Sequence, residues 1–180
     1  MTGGSSDGDE PGDPDDTDRP ADGAPVDFDR LGIVRDRLAT DERFARVEDR
    51  PAFAPDRVVC TYDPRLYPET VSVARLEITW YENGHFSIHY HEEHDESGAH
   101  GESREHDENG VQDEIGEHGS DAFDYRWDRH PSEHNALDHV HPGPNAPTPG
   151  EDASHPTDWR DMLATVLSEV EARQRAFWSD

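Results

Sequence analysis

Four histidines, two arginines and three aspartates fall within residues 123–143, FDYRWDRHPSEHNALDHVHPG. Imidazoles titrate near neutral pH and can take up and return protons. Guanidinium groups hold phosphate oxygens through paired hydrogen bonds. Together these groups supply what metal-free cleavage of an RNA phosphodiester needs: a base for the 2′-hydroxyl, an acid for the departing oxygen and a cation for the charged transition state. No cofactor is required by that chemistry. A second pair, His89-x-His91, repeats the spacing of His139-x-His141. In extended chain, residues two apart point the same way, so either pair could instead offer nitrogens to zinc or another transition metal. Asp128 is a further ligand for such a site. The candidate catalytic set is therefore His89, His91, Arg126, Asp128, His139 and His141. Arg75, Glu77 and His134 are candidates for binding substrate, and His139 with His141 is the alternative metal pair. The plainer alternative is a solvated sheet face whose charges pair with one another.

These side chains can act together only if one surface collects them. Residues 71–81 alternate Ala74, Leu76, Ile78 and Trp80 with Arg75, Glu77, Thr79 and Tyr81. Residues 85–91 alternate Phe86, Ile88 and Tyr90 with His85, Ser87, His89 and His91, and 122–128 alternate Phe123, Tyr125 and Trp127 with Asp124, Arg126 and Asp128. This is a half-buried antiparallel pattern three times over. The turn Tyr81-Glu82-Asn83-Gly84-His85 decides how the first two runs pair. A two-residue Asn-Gly turn would pair Glu82 with His85 and put the histidines among the apolar residues. A three-residue turn closed by a bulge at Gly84 pairs Tyr81 with His85, so that Trp80 meets Phe86, Ile78 meets Ile88 and Leu76 meets Tyr90. Burial selects the bulged turn, because a one-residue slip exchanges the faces. Arg75, Glu77, His89, His91, Asp124, Arg126 and Asp128 then share the wet side.

Around this sheet, residues 57–62 form another strand and residues 28–47 suggest one or two short amphipathic helices. Residues 158–177 read as an amphipathic helix, with Trp159, Met162, Leu163, Val166, Leu167, Val170 and Phe177 at helical spacing. Thr157 can cap it, and Arg173 and Arg175 suit its C-terminal end. The expected fold is α+β: a small antiparallel meander of about four strands, covered on one face by the C-terminal helix, with a short N-terminal helical segment. Residues 1–27 read as a disordered acidic tail. Residues 28–180 form one domain, interrupted by a flexible acidic insertion at 93–121 in which eleven acids face one arginine. Histidines 94, 100, 106 and 118 in that insertion are expected to be solvated. Residues 142–156 hold five prolines and read as loop.

The chain has 180 residues and a formal net charge of −27, with 43 acidic residues against 16 basic ones, all of them arginine. Applied to a chain patterned to fold, such acidity without lysine suggests adaptation to a salt-rich, halophilic cytoplasm. At molar salt the screening length is about 3 Å, so repulsion from RNA is largely removed and attraction must come from local arginines. Cys60 is the one cysteine, which excludes an intrachain disulfide and fits a reducing compartment. Nothing resembles a membrane span or a signal peptide.

The run Tyr125-Arg126-Trp127-Asp128, then His130-Pro131 and His134, then Asp138-His139-Val140-His141-Pro142-Gly143 before an amphipathic helix, resembles the TumE family of toxin–antitoxin proteins. The resemblance covers about residues 70–177. It implies a small cytoplasmic toxin, a strand meander followed by a helix, action on RNA, and a helix-turn-helix antitoxin partner. By position, Arg126 and Asp128 match the family's aromatic strand motif, and His139 and His141 match the later two histidines of its His-rich segment. Asp138 replaces the first of those histidines, and Val140 replaces a basic residue. A non-catalytic protein that binds a metal or a regulator, with an inactive site, is the alternative.

Overall fold

The computed structural model describes residues 23–95, 122–132 and 134–179. Seven strands form one antiparallel sheet in sequential order: β1 (Phe44–Arg50), β2 (Arg57–Tyr62), β3 (Val71–Trp80), β4 (Phe86–His94), β5 (Ala122–Arg129), β6 (Asp138–His141) and β7 (Glu151–Asp152). Two helices, α1 (Phe28–Leu38) and α2 (Trp159–Ala176), flank the meander in sequence. Leu31, Val34 and Leu38 of α1 join Met162, Leu163, Val166 and Val170 of α2 in one core with the apolar side of the sheet.

The β3–β4 register is the one that burial selects. Trp80 pairs with Phe86, Ile78 with Ile88, Leu76 with Tyr90, Glu77 with His89 and Arg75 with His91. Gly84 has φ +86°, its N–H bonds to the Tyr81 carbonyl, and the Tyr81 N–H bonds to the His85 carbonyl. β5 continues both faces: Ile88 meets Trp127 and Tyr90 meets Tyr125 on the dry side, while His89 meets Arg126 and His91 meets Asp124 on the wet side.

The sheet has seven strands where about four were expected, and each addition has a local cause. Phe44 and Val47 suggest a helix because they are three apart. They belong to β1, where a register shift between Phe44 and Arg46 inserts a residue, so both side chains lie opposite the buried face of β2 at Tyr62 and Cys60. β6 is too short to show alternation, and β7 is a two-residue pairing inside the proline-rich stretch expected to be loop. β4 runs past the expected start of the insertion. Glu93 pairs with Val73, and His94 pairs with Val71 and lies 3.2 Å from Glu92, so this histidine is not solvated as expected. The rest of the insertion, with residues 100, 106 and 118, lies outside the described residues, as does most of the tail. Within the expected tail, Asp27 bonds through its N–H to the Trp80 carbonyl and Val26 bridges to Tyr81. The cap of α2 is Asp158 rather than Thr157, its carboxylate accepting from the Arg160 N–H at 2.8 Å. Cys60 is buried, and burial pushes its thiol up to about 12. Among the described residues no helix is long and apolar enough to cross a membrane.

The dry side holds one polar network that the pattern does not announce. Glu92 is fully buried and receives both arms of Arg173 from α2, together with the Tyr90 hydroxyl. Tyr90 meets the Tyr67 hydroxyl at 2.9 Å, and Gln174 donates to Tyr67 at 2.7 Å. Arg173 also lies over the Phe123 ring. These bonds fix α2 axially on a greasy sheet that would otherwise let it slide.

Two stability tests follow. Gly84→Ala places a methyl in open space but in a left-handed backbone, so it should cost about 1 kcal/mol through strain alone. Thermal unfolding would read this as a midpoint lower by a few degrees. Arg173→Met leaves the Glu92 charge buried with only the Tyr90 hydroxyl and His94 beside it among the described residues and should cost about 3 kcal/mol. Adding Glu92→Met should recover much of that loss in denaturant titration.

Candidate functional site

Successive strands lay the wet side out in rows across the sheet. One row is Glu77, His89, Arg126 and His141, and a second is Arg75, His91 and Asp124. A third is Thr79, Ser87, Asp128 and His139. The side chains separate into an open group and an inner group that meet along β5.

The open group centres on Asp124. One oxygen, Oδ1, lies 2.9 Å from His89 Nε2 and 2.7 Å from His91 Nδ1, so both rings present N–H to it. The rings stand edge to face with centroids 6.2 Å apart. Burial opposes ionisation of Asp124, but the bonds from His89 and His91 outweigh it and hold the carboxyl well below the usual range. The hydrogen bond that His91 donates to Asp124 in turn raises His91 above the usual histidine value, against its partial burial. The His89 side chain is 33% exposed and that of Arg75 is 39% exposed, so a ligand can reach this group. Arg75 lies 3.2 Å from Glu77, which also meets Arg57 at 3.5 Å.

The inner group is held by backbone carbonyls. His141 Nδ1 lies 2.7 Å from the Pro147 carbonyl and must carry the proton there, which leaves Nε2 to accept from Arg126 Nη2 at 2.9 Å. Arg126 Nε donates to Asp128 Oδ2 at 2.7 Å. The same Oδ2 is 3.2 Å from His141 Nε2. Burial disfavours the charge on Asp128, but His141, Arg126 and Ser87 more than offset it, and its carboxyl lies below the usual range. His139 sits 3.7 Å from Asp128 with Nδ1 on the Ala136 carbonyl, and burial lowers it below the usual histidine value.

The loop after β6 encloses this group. The Asp124 N–H bonds to the Pro144 carbonyl at 2.6 Å, and Asn135 and Gly150 exchange two bonds. A Cβ on Gly150 would lie 2.5 Å from the Val140 carbonyl oxygen and 3.1 Å from the His141 ring, so only glycine lets the loop lie this close.

The expected residues therefore share one face but not one exposure. His89, His91, Arg75 and Glu77 line the accessible part. Arg126 is part-buried, and Asp128, His139 and His141 are buried. His134 lies in an exposed bend, its backbone N–H donating to the Ser132 hydroxyl, and among the described residues its ring belongs to neither group. Asp124 and His130 take places that sequence reasoning did not give them. His130 Nε2 is 3.9 Å from Asp128, and its ring stands edge to face against His139 at 5.0 Å. The available signal was the spacing: Asp128-x-His130 repeats the two-residue step of His139-x-His141 on the neighbouring strand.

A small antiparallel sheet with a helix-covered face and a histidine-rich opposite face is the frame in which the comparisons fall. The model of the family described as Toxin TumE matches residues 33–174, and the chain belongs to that toxin family. Membership gives it a toxin-like role and, in general terms, an antitoxin partner. No curated protein and no solved structure matches the chain.

The His91–Asp124 pair makes a pH-dependent contribution to stability. The raised His91 contributes fully below the unfolded value of about 6.5 and loses its contribution as pH rises through its higher folded value. The lowered Asp124 contributes above about 3.9 and is lost as pH falls through its lower folded value. Both contributions are complete between about pH 4 and 6.5. Asp124→Asn should therefore cost most near pH 5.5, about 1 kcal/mol after allowance for solvent screening, and less at pH 9. Thermal unfolding of both proteins across that range checks the sign.

Proposed function

We propose that this chain is the RNA-directed member of its toxin–antitoxin pair and cleaves phosphodiester bonds at the open group without a catalytic metal. The observation that carries the reading is the sharing of Asp124 Oδ1 by two imidazoles beside arginines on an accessible surface. His89 presents Nε2–H to Asp124, so its Nδ1 lone pair is the base that takes the 2′-hydroxyl proton. The 2′-oxygen attacks phosphorus, the bond to the 5′-oxygen breaks, and a 2′,3′-cyclic phosphate forms. His91, whose protonated form Asp124 favours, returns a proton to the departing 5′-oxygen. Arg75 and the outer edge of Arg126 supply positive charge for the phosphate. In this reading Asp128 and His141 hold Arg126 in place, with the buried His139 beside Asp128, and proton transfer falls to the more accessible His89 and His91.

The partner in this reading is a helix-turn-helix antitoxin that masks the open group, and the acidic, lysine-free surface suits a salt-rich cytoplasm. Induced expression should arrest growth, and coexpression of the adjacent helix-turn-helix protein should relieve it. Purified protein in molar KCl with EDTA should release RNA fragments ending in cyclic phosphate. His89→Ala and His91→Ala should each lower the rate by about 10²-fold or more while leaving the unfolding midpoint within a few degrees. Full toxicity in both variants would instead support a role in binding a regulator.

A further inference from the structure

Asp128 carries a polar atom that the described protein does not satisfy. Its Oδ2 accepts from Arg126, but Oδ1 is buried and has no hydrogen-bond partner, on a residue with no exposed surface. Leaving a buried acceptor unpaired costs about 1–3 kcal/mol, and more for a charged one. Around the Asp128 carboxylate stand the Ser87 side chain and the imidazoles of His130 and His139. Asp128, His130 and His139 each offer one ligand atom, and all three lie within 4.8 Å of one another. His130 Nε2 lies 3.9 Å from Oδ1, and His139 Nε2 lies 3.7 Å from Oδ2 of the same carboxylate.

The remaining atoms of the trio are already engaged. His139 Nδ1 is 3.2 Å from the Ala136 carbonyl, and His130 Nδ1 is 3.3 Å from the Pro131 carbonyl. With a proton on each Nδ1, both Nε2 atoms present lone pairs. Metal-binding histidines usually show this pattern, the second nitrogen donating to a carbonyl and fixing the ring. The backbone sets the trio without strain. Asp128 and His130 are two apart on the same side of extended chain, and His139 is the cross-strand partner of Asp128. The His130 N–H bonds to the Leu137 carbonyl, which carries the β5–β6 pairing beyond Arg129.

We propose that Asp128 Oδ1, His130 Nε2 and His139 Nε2 bind a divalent transition ion of the zinc class. Bonds of about 2.0–2.2 Å set ligand atoms about 3.4 Å apart, so the trio needs to contract by about 1 Å, within the reach of side-chain torsions. Two nitrogens and one carboxylate suit zinc better than magnesium or calcium, which take oxygen ligands. The partly exposed edge of His130 is the route of entry, and water completes the coordination. The ion would clamp the β5–β6 end while Oδ2 continues to hold Arg126. The pair first suggested by spacing, His139 with His141, is replaced because His141 Nε2 already accepts from Arg126. The other compact trio, His89, His91 and Asp124, does not share the feature, since its carboxylate oxygen already faces two ring nitrogens. The proposal does not rest on the cleavage reading.

The test uses the full chain, stripped with EDTA and dialysed into molar KCl. Cobalt titration, followed by visible d–d absorption, and the zinc-dependent shift in unfolding midpoint are read together. The expected result is one tight equivalent with a tetrahedral-type band and a raised midpoint, with magnesium producing neither. His130→Ala, at the partly exposed position, should weaken binding at least tenfold and abolish the band while the far-UV circular dichroism is kept. His139→Ala should do the same, and His89→Ala should leave band and shift intact. No band in the wild type would overturn the proposal, as would a band retained in His130→Ala or lost only in His89→Ala.

Discussion

The arrangement of the whole molecule depends on the register of the β3–β4 hairpin. Six large side chains, Leu76, Ile78, Trp80, Phe86, Ile88 and Tyr90, are buried in one layer because Gly84 adds a residue to the turn. Burying each contributes about 1.5–3 kcal/mol, so slipping the strands by one residue would lose roughly 10 kcal/mol. That is of the order of the total stability of a domain this size. The same bulge that puts the rings under the helices sends Glu77, His89 and His91 to the other side. The polar face is thus a consequence of burial on the opposite face, and β5 and β6 extend it by continuing the alternation.

The polar face is not uniform, and the difference follows from what covers it. Near Asp124 the side chains bond to one another across the sheet, and the histidines keep part of their surface exposed. Near Asp128 the loop after β6 folds back and its Pro147 carbonyl takes the Nδ1 proton of His141, while the Ala136 carbonyl in the β5–β6 connection takes that of His139. One strand therefore carries two kinds of site four residues apart: an accessible one suited to proton transfer, and an enclosed one suited to holding groups still. Arg126 lies between them and is gripped from the enclosed side. On the dry face Arg173 donates to the buried Glu92 as Arg126 donates to one oxygen of the buried Asp128, each through a planar guanidinium.

Much of this could be read in advance because burial has a simple period. The alternation in 71–81, 85–91 and 122–128 gave the faces, the turn gave the register, and helical spacing gave α2. The readings that failed are those in which the period was broken or too short to register. Phe44 and Val47 mimic a helix because a bulge separates them by three. β6 is a strand because β5 offers an edge to pair with, and β7 because β6 offers the next. His134 is close to the other histidines in sequence but lies in an exposed bend away from both groups.

The composition and the two-residue repeat of the chain specified a lysine-free acidic surface, a two-faced sheet and the side on which the histidines lie, because these follow from local sterics and from the removal of apolar groups from water. Which histidines stay open, which are tied to carbonyls, and which carboxylate oxygen is left facing two imidazole nitrogens was decided by tertiary structure alone. Those outcomes depend on the return path of a proline-rich loop and on hydrogen bonds between residues distant in sequence. Local pattern holds no record of either.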